Sequence, residues 1–263
     1  MGNKKYELVK EDTIVIGARK FYRIRALRDF SNIKAGDFGG YIQSEKNLSH
    51  DGNAWVYGDA RVYGNARVYG DARVCDNAWI YDNAWVYDNA SVHNNASVHD
   101  NAWVFGNAMV AGNAMVAGNA WVCDNASVYN NAKVCDDAKV AGNAKVCDNT
   151  NVYNNASVYD NAWVYGNAMV YGNAMVSGNA KVCDNASVSS TNDYVTIKGF
   201  GRENRTSTFF RCIDELIRVK CGCFYGTLEE FKDKVIETHG DNKHAKEYLT
   251  MIELVKIKFG IEE

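Results

Sequence analysis

The sequence predicts a mainly β chain whose central part is a parallel β-helix, wound from many short strands and tight corners. Three observations predict it. From Val56 to Val188 the chain repeats every six residues, Val56-Tyr-Gly-Asp-Ala-Arg61 being followed by Val62-Tyr-Gly-Asn-Ala-Arg67 and so on. The first column is Val except at Ile80, the fifth is Ala except at Thr150, and the third and fourth are almost always Gly, Asp or Asn. An α-helix turns about 100° per residue, so six steps leave each Val about 240° from the last, whereas a short strand plus a corner brings every sixth residue to the core. Finally, 263 residues include 22 glycines and no proline, which suits a ladder in which every coil donates its N–H groups to the next.

Each element follows from its residues. A triplet such as Trp85-Val86-Tyr87 is expected as a strand with Val inward and its neighbours outward. Gly or Asp followed by Asn is corner chemistry, Asn tolerating the positive φ that a tight corner can require, and the small Ala fits inside the corner. Residues 1–47 are expected to form a β cap, with Thr13–Ile16 and Phe21–Arg25 as strands joined at Gly17-Ala18 and with Ile42 and Leu48 as irregular first rungs. Residues 48–193 form the β-helix. Residues 194–263 are expected as a small α+β domain: strands at Tyr194–Phe200, Thr208–Cys212 and Leu216–Lys220, then two helices. The first helix opens with the capping box Thr227-Leu-Glu-Glu230 and stops at His239-Gly240; the second runs from Asn242 or Lys243 to Phe259, with Tyr248, Met251, Ile252, Val255 and Phe259 at helical spacing.

The pairing of an aliphatic residue with a small one four positions on, Val56 with Ala60 through Val182 with Ala186, resembles the hexapeptide-repeat superfamily. That resemblance implies a left-handed parallel β-helix with three strands and 18 residues per coil, about eight coils in all. The lead Gly39-Gly-Tyr-Ile-Gln-Ser-Glu45, the segment Asn47-Leu-Ser-His-Asp-Gly-Asn-Ala-Trp-Val56 and the run Val219-Lys-Cys-Gly-Cys-Phe-Tyr-Gly-Thr-Leu-Glu-Glu-Phe231 are similar to β-helix proteins of bacteriophages, prophages and gut bacteria. This second resemblance implies a phage-borne protein that counters host immunity, as an anti-CRISPR does, and supplies no catalytic residues.

Charge and thiols narrow the function classes. The formal charge of −3 divides into +4 over residues 1–50, −7 over 51–193 and zero over 194–263. An acidic middle argues against general nucleic-acid binding, and the cluster Arg19, Lys20, Arg23, Arg25 and Arg28 is expected as a solvated face. No stretch approaches a ~20-residue apolar span and the start has no apolar leader, so a cytoplasmic protein with reduced thiols and no membrane contact is expected.

With the core columns nearly invariant, function is expected in the outward columns. At 18 residues per coil, Trp85, Trp103 and Trp121, flanked by Tyr69, Tyr87 and Phe105, form an aromatic plaque on one face. It is expected to be an oligomer or partner interface, for a second copy before a host protein complex; the alternative is a ladder that only stiffens the coil. The duplicate of residues 97–128 at 157–188 is shifted by 60, which is not a multiple of 18, so Trp163 falls on another face. Enzymes of the superfamily use His as a general base at a subunit junction or three His on a metal, so the second function class is a hexapeptide-type transferase or a metal-dependent enzyme using His93 or His99. These two lie on different faces and share their column with Tyr. Cys221, Cys223, His239 and His244, with Cys212, are weak zinc candidates lacking Cys-x2-Cys spacing, and Cys147 and Cys183 are two coils apart, too far to bridge. Arg61, Arg67 and Arg73, like Lys133, Lys139 and Lys145, point from three faces and are assigned to solubility. No cofactor is expected, and ice binding is disfavoured by bulky outward rings where small Thr arrays are needed.

Overall fold

The structure is a computed structural model that describes residues 4–261; the ends of the flanking segments, 1–3 and 262–263, lie outside it. Its centre is a parallel β-solenoid of about eight turns. The 23 two-residue strands β4–β26, from Trp55–Val56 to Ser187–Val188, fall into three sheets in which every strand pairs with the one three positions on. The register is that of the sequence repeat, Trp85 against Trp103 against Trp121 and Val86 against Val104 against Val122. Every column-one Val and column-five Ala of the repeats is buried. Thr150 takes an Ala position because its hydroxyl donates to Cys147 O at 2.6 Å. Although the strands proper hold two residues, the ladder bonds extend past them: Trp85 N donates to Ala102 O at 2.9 Å and Tyr87 N to Val104 O at 3.1 Å.

Positive φ belongs to the third column, where Gly, Asp and Asn all sit in the left-handed region. A carboxylate there costs about 1 kcal/mol relative to glycine. That cost is offset, because Asp100 Oδ2 accepts from Gly118 N at 3.0 Å, and Asp124 and Asp160 accept likewise from Gly142 N and Gly178 N. Space dictates the rest. A Cβ on Gly118 would stand 2.7 Å from Asp136 N, so the corner admits glycine there. On one edge Gly70, Asp88, Gly106, Asp124, Gly142, Asp160 and Gly178 alternate strictly, which keeps like charges two coils apart.

The fourth column, nearly all Asn, does something different from the positive-φ role expected of it. Its amides form ladders along the corners: Asn65 Nδ2 donates to Asn83 Oδ1, Asn83 to Asn101 and Asn101 to Asn119, at 3.0 to 3.2 Å, with parallel series through Asn107 and Asn113. Inside each series an amide gives a proton forward and accepts one from behind, so one side chain satisfies both neighbours.

Both ends are capped by groups of the correct sense. Ladder N–H groups of columns two, four and six point toward the C-terminal end, so the first coil presents carbonyls. Lys5 Nζ donates to Ala54 O at 2.8 Å, and Asn47 Nδ2 to Gly64 O and Ala66 O at 3.1 and 3.0 Å. Burial, with Arg28 nearby, pushes the Lys5 ammonium down to about 8. The hairpin of β1 (Tyr6–Ile16) and β2 (Arg19–Ala26) carries β3 (Phe38–Ile42), whose Tyr41 and Ile42 pair with Arg61 and Val62 to extend one solenoid sheet. This segment also buries Trp55 completely, between the edges of Tyr6 and Phe30, in a column that faces outward elsewhere. Of the N-terminal cations, Arg25 pairs with Glu7, Arg23 lies 3.8 Å from Asp12, and Arg19 covers Tyr63, so the cluster is divided among separate contacts.

At the other end Thr208 Oγ1 accepts from Lys181 N at 2.9 Å and the Tyr194 hydroxyl from Ser177 N at 3.2 Å. They belong to an antiparallel sheet of β27 (Tyr194–Phe200), β28 (Arg205–Arg211), β29 (Ile217–Cys221) and β30 (Phe224–Thr227), the last a strand not expected from sequence. Helices α1 (Leu228–His239) and α2 (Lys243–Phe259) pack Phe231, Val235, Met251, Ile252 and Val255 onto Phe209 and Val219 of this sheet. The Thr227/Glu230 capping box closes reciprocally, at 3.2 and 2.8 Å.

Severing one amide ladder tests its weight. Asn107→Ala removes bonds to both Asn89 and Asn125 and is expected to cost about 1 kcal/mol. Asn179→Ala, at a position with no amide pair among the described residues, is expected to shift the urea midpoint much less.

Candidate functional site: an aromatic ladder on one face

Strands β6, β9, β12 and β15, at Arg67–Val68, Trp85–Val86, Trp103–Val104 and Trp121–Val122, bring the six aromatic residues singled out from sequence onto one sheet. They form two interlocked columns. Trp85, Trp103 and Trp121 stack at 5.4 and 5.6 Å between ring centroids, within 14° of parallel. Tyr69, Tyr87 and Phe105 stack beside them at 4.8 and 5.0 Å, within 2°. Across the columns, Tyr69 meets Trp85, Tyr87 meets Trp103 and Phe105 meets Trp121 edge to face. The flat faces are therefore used within the ladder, and the ring edges are what the surface presents. Trp121 is the most open, at 39 %.

Cations close the tryptophan column at both ends. The Arg67 guanidinium lies 5.5 Å above the Trp85 ring and the Lys139 ammonium 5.1 Å from Trp121. The pattern recurs elsewhere: Arg61 covers Trp79, and Lys145 and Lys181 flank Trp163 from both sides. In each case the basic residue stands 18 positions from the tryptophan. Arg61, Arg67, Lys139, Lys145 and Lys181 thus do more than the solubility role assigned to such residues; they shield aromatic faces by cation–π contact. The sequence signal was available as a spacing of basic residues from Trp. Trp163 does lie on a different sheet from Trp103.

The remaining candidates are dispersed. His99 is the third ring of a stacked column, 4.7 Å below Tyr81, which is itself 5.0 Å below Tyr63. Its Nδ1 is 3.2 Å from Asp100. Asp82, His99 and Asp100 form the one trio of potential ligand atoms among the described residues, within 4.8 Å of one another, at a place where two Asp follow each other along a corner. His93 is on another sheet. In the C-terminal domain the zinc candidates form no trio of ligand atoms among the described residues, although His239 and His244 meet edge to face at 5.9 Å. Cys221 is buried at the end of β29 while Cys223 is exposed in the following turn, so the Cys-x-Cys alternation does not put the two on one strand face. His239 stacks on Tyr248, and His244 Nδ1 is 3.2 Å from Glu247. Between Cys147 and Cys183 stands Tyr165, one coil from each.

Two stretches of the solenoid match the family model described as the YdcK beta solenoid repeat, through overlapping windows at residues 54–70, 60–76 and 66–82 and at 162–178 and 168–184. They cover the first and last parts of the repeat region. Comparison with curated proteins gives no match.

The outward thiols are expected to make the stability of the solenoid depend on pH. Burial pushes Cys75 and Cys123 up from the ordinary 9.0 to about 11 and Cys183 to about 12, with the neighbouring Asp76, Asp124 and Asp184 adding to it. A raised thiol contributes stability that is full below pH 9 and is lost as pH rises toward the folded value. The urea midpoint is expected to fall between pH 9 and 11, and Ala at Cys75, Cys123 and Cys183 together is expected to flatten that fall.

Proposed function

We propose that the chain is a non-catalytic binding scaffold that assembles with a second copy of itself through the aromatic ladder face. The observation that carries this reading is the stacked, edge-out double column of six rings on one sheet. Interfaces favour such an arrangement: Trp and Tyr supply large contact area with little side-chain freedom left to lose. The face continues past Lys139 and Ser157 to Met175, which is 45 % exposed, so apolar surface lies at both its middle and its far end. A second apolar row, Leu254, Ile257 and Ile261, lies open at the end of α2 and in the residues just after it, leaving the terminal domain a contact surface of its own.

Finer identities belong to the same proposal. The resemblance of the aliphatic–small pairing to the hexapeptide-repeat superfamily, and not the spacing itself, supports a left-handed winding. The likeness of the lead and of residues 219–231 to phage and gut-bacterial β-helix proteins supports a phage-borne protein acting in the host cytoplasm. Its partner in that case is a host protein or immune complex occluded by the assembled faces or the C-terminal domain.

Sedimentation velocity tests the assembly. Wild type is expected to sediment as more than one chain at micromolar concentration, and Trp121→Lys combined with Met175→Lys as a single chain with unchanged circular dichroism. Lysine is a residue this column already carries at 139, so the fold tolerates it. A wild type that stays a single chain throughout, or a double variant with the wild-type mass, overturns the reading.

A further inference from the structure

The aromatic ladder has an unfinished top. Tyr87 covers one face of Tyr69, and among the described residues no ring packs on the other. One rung toward the N-terminus the backbone continues, Leu48 pairing with Val68, but the residue above Tyr69 is Ser49 where lower rungs carry rings. Its hydroxyl is turned to its own turn, accepting from Asp51 N at 3.0 Å. The result is a notch of about 600 Å³, floored by Tyr69, Trp85 and Arg67 and walled by Glu45, Lys46 and His50 among others.

Charge at the notch differs from that of the shaft. Arg67 and Lys46 are exposed and have no carboxylate partner among the described residues. Glu45, the one acid on the wall, is already held by Lys4 at 2.7 Å, a bond that keeps its carboxyl below the usual range, and lies 3.7 Å from His50 Nε2. His50 is fixed from behind by Tyr6, 4.3 Å away and stacked. An open aromatic face next to two unpaired cations on an otherwise acidic shaft is a combination that selects for both flatness and negative charge.

We propose that this notch binds a planar aromatic anion, which stacks on Tyr69 as the missing top ring of the ladder and sets its acidic group between Arg67 and Lys46. A purine nucleotide and an aromatic carboxylate share that chemistry. The site shares Tyr69 and Trp85 with the face proposed for self-association, and the two are told apart by test, because Trp121→Lys with Met175→Lys changes the far end of that face and leaves every residue of the notch in place.

Isothermal titration of the full chain with adenosine monophosphate, indole-3-acetate, inorganic phosphate and adenosine tests it. At least one of the two aromatic anions is expected to bind saturably, and the stronger of the two identifies the source; phosphate without a ring and adenosine without a charge are each expected to be weaker by about tenfold or more. Ser49→Tyr, which supplies a ring of its own to the slot, is expected to abolish binding without lowering the thermal midpoint. Arg67→Gln is expected to weaken the anions by about tenfold while leaving adenosine unchanged. Absence of saturable binding by both aromatic anions overturns the proposal, as does equal binding by wild type and a folded Arg67→Gln.

Discussion

Everything in this molecule depends on one constraint: each residue of the solenoid lies against the residue 18 positions away. In the core this stacks Val on Val and Ala on Ala, which gives a dry interior of constant width. At the corners it sets Asn over Asn and Asp over Gly, and on the surface it sets ring over ring and cation over indole. A residue is therefore selected less by its chain neighbours than by its axial ones. Amides are chained, and Trp85 and Trp103 are each followed one coil on by another indole and Trp121 by the base Lys139.

The same axial order gives the shaft a direction. Because the ladder N–H groups of three columns point forward, one end needs donors and the other acceptors. Lys5 and Asn47 supply donors at the first coil, while Thr208 and Tyr194 supply acceptors at the last. Lys5 and Asn47 of the lead and Tyr194 and Thr208 of the terminal domain are thus matched to the ends they close. Either cap exchanged for the other would leave buried groups unpaired, and an open end would invite further strands.

The core columns, the sheet assignments of the six aromatic residues and the helix limits at Thr227, His239 and Asn242 were all legible, since each depends on a period or a cap that local sequence carries. Less legible were contacts between columns. The Asn column looked like turn propensity because a turn explains Asn locally; its amide chain exists only once coils are stacked at 18. Arg67 and Lys139 looked like solvated charge for the same reason. Trp55 obeys the repeat yet is buried, because Tyr6 and Phe30 arrive from a segment outside it. Cys221 and Cys223 alternate correctly for a strand, but the strand ends at 221 and Gly222 turns the chain with φ of 60°.

For function, the consequence is that the surface is as ordered as the core. A side face whose rings are locked edge-out is the pattern on which the proposed self-association rests, and the interruption of that pattern at Ser49 is where the proposed flat ligand would complete it. The account's central claim, that outward columns in 18-residue register stabilise the coil alongside the Val/Ala core, is tested most directly by two deletions. Removing residues 103–120 deletes a full coil and sets Trp85 on Trp121; removing 91–96 keeps every Val and Ala column but rotates Trp103 and Trp121 off the face of Trp85. In equilibrium urea unfolding the six-residue deletion is expected to have the lower midpoint, although it removes a third as many residues. Equal midpoints, or a lower one for the full-coil deletion, would contradict the account.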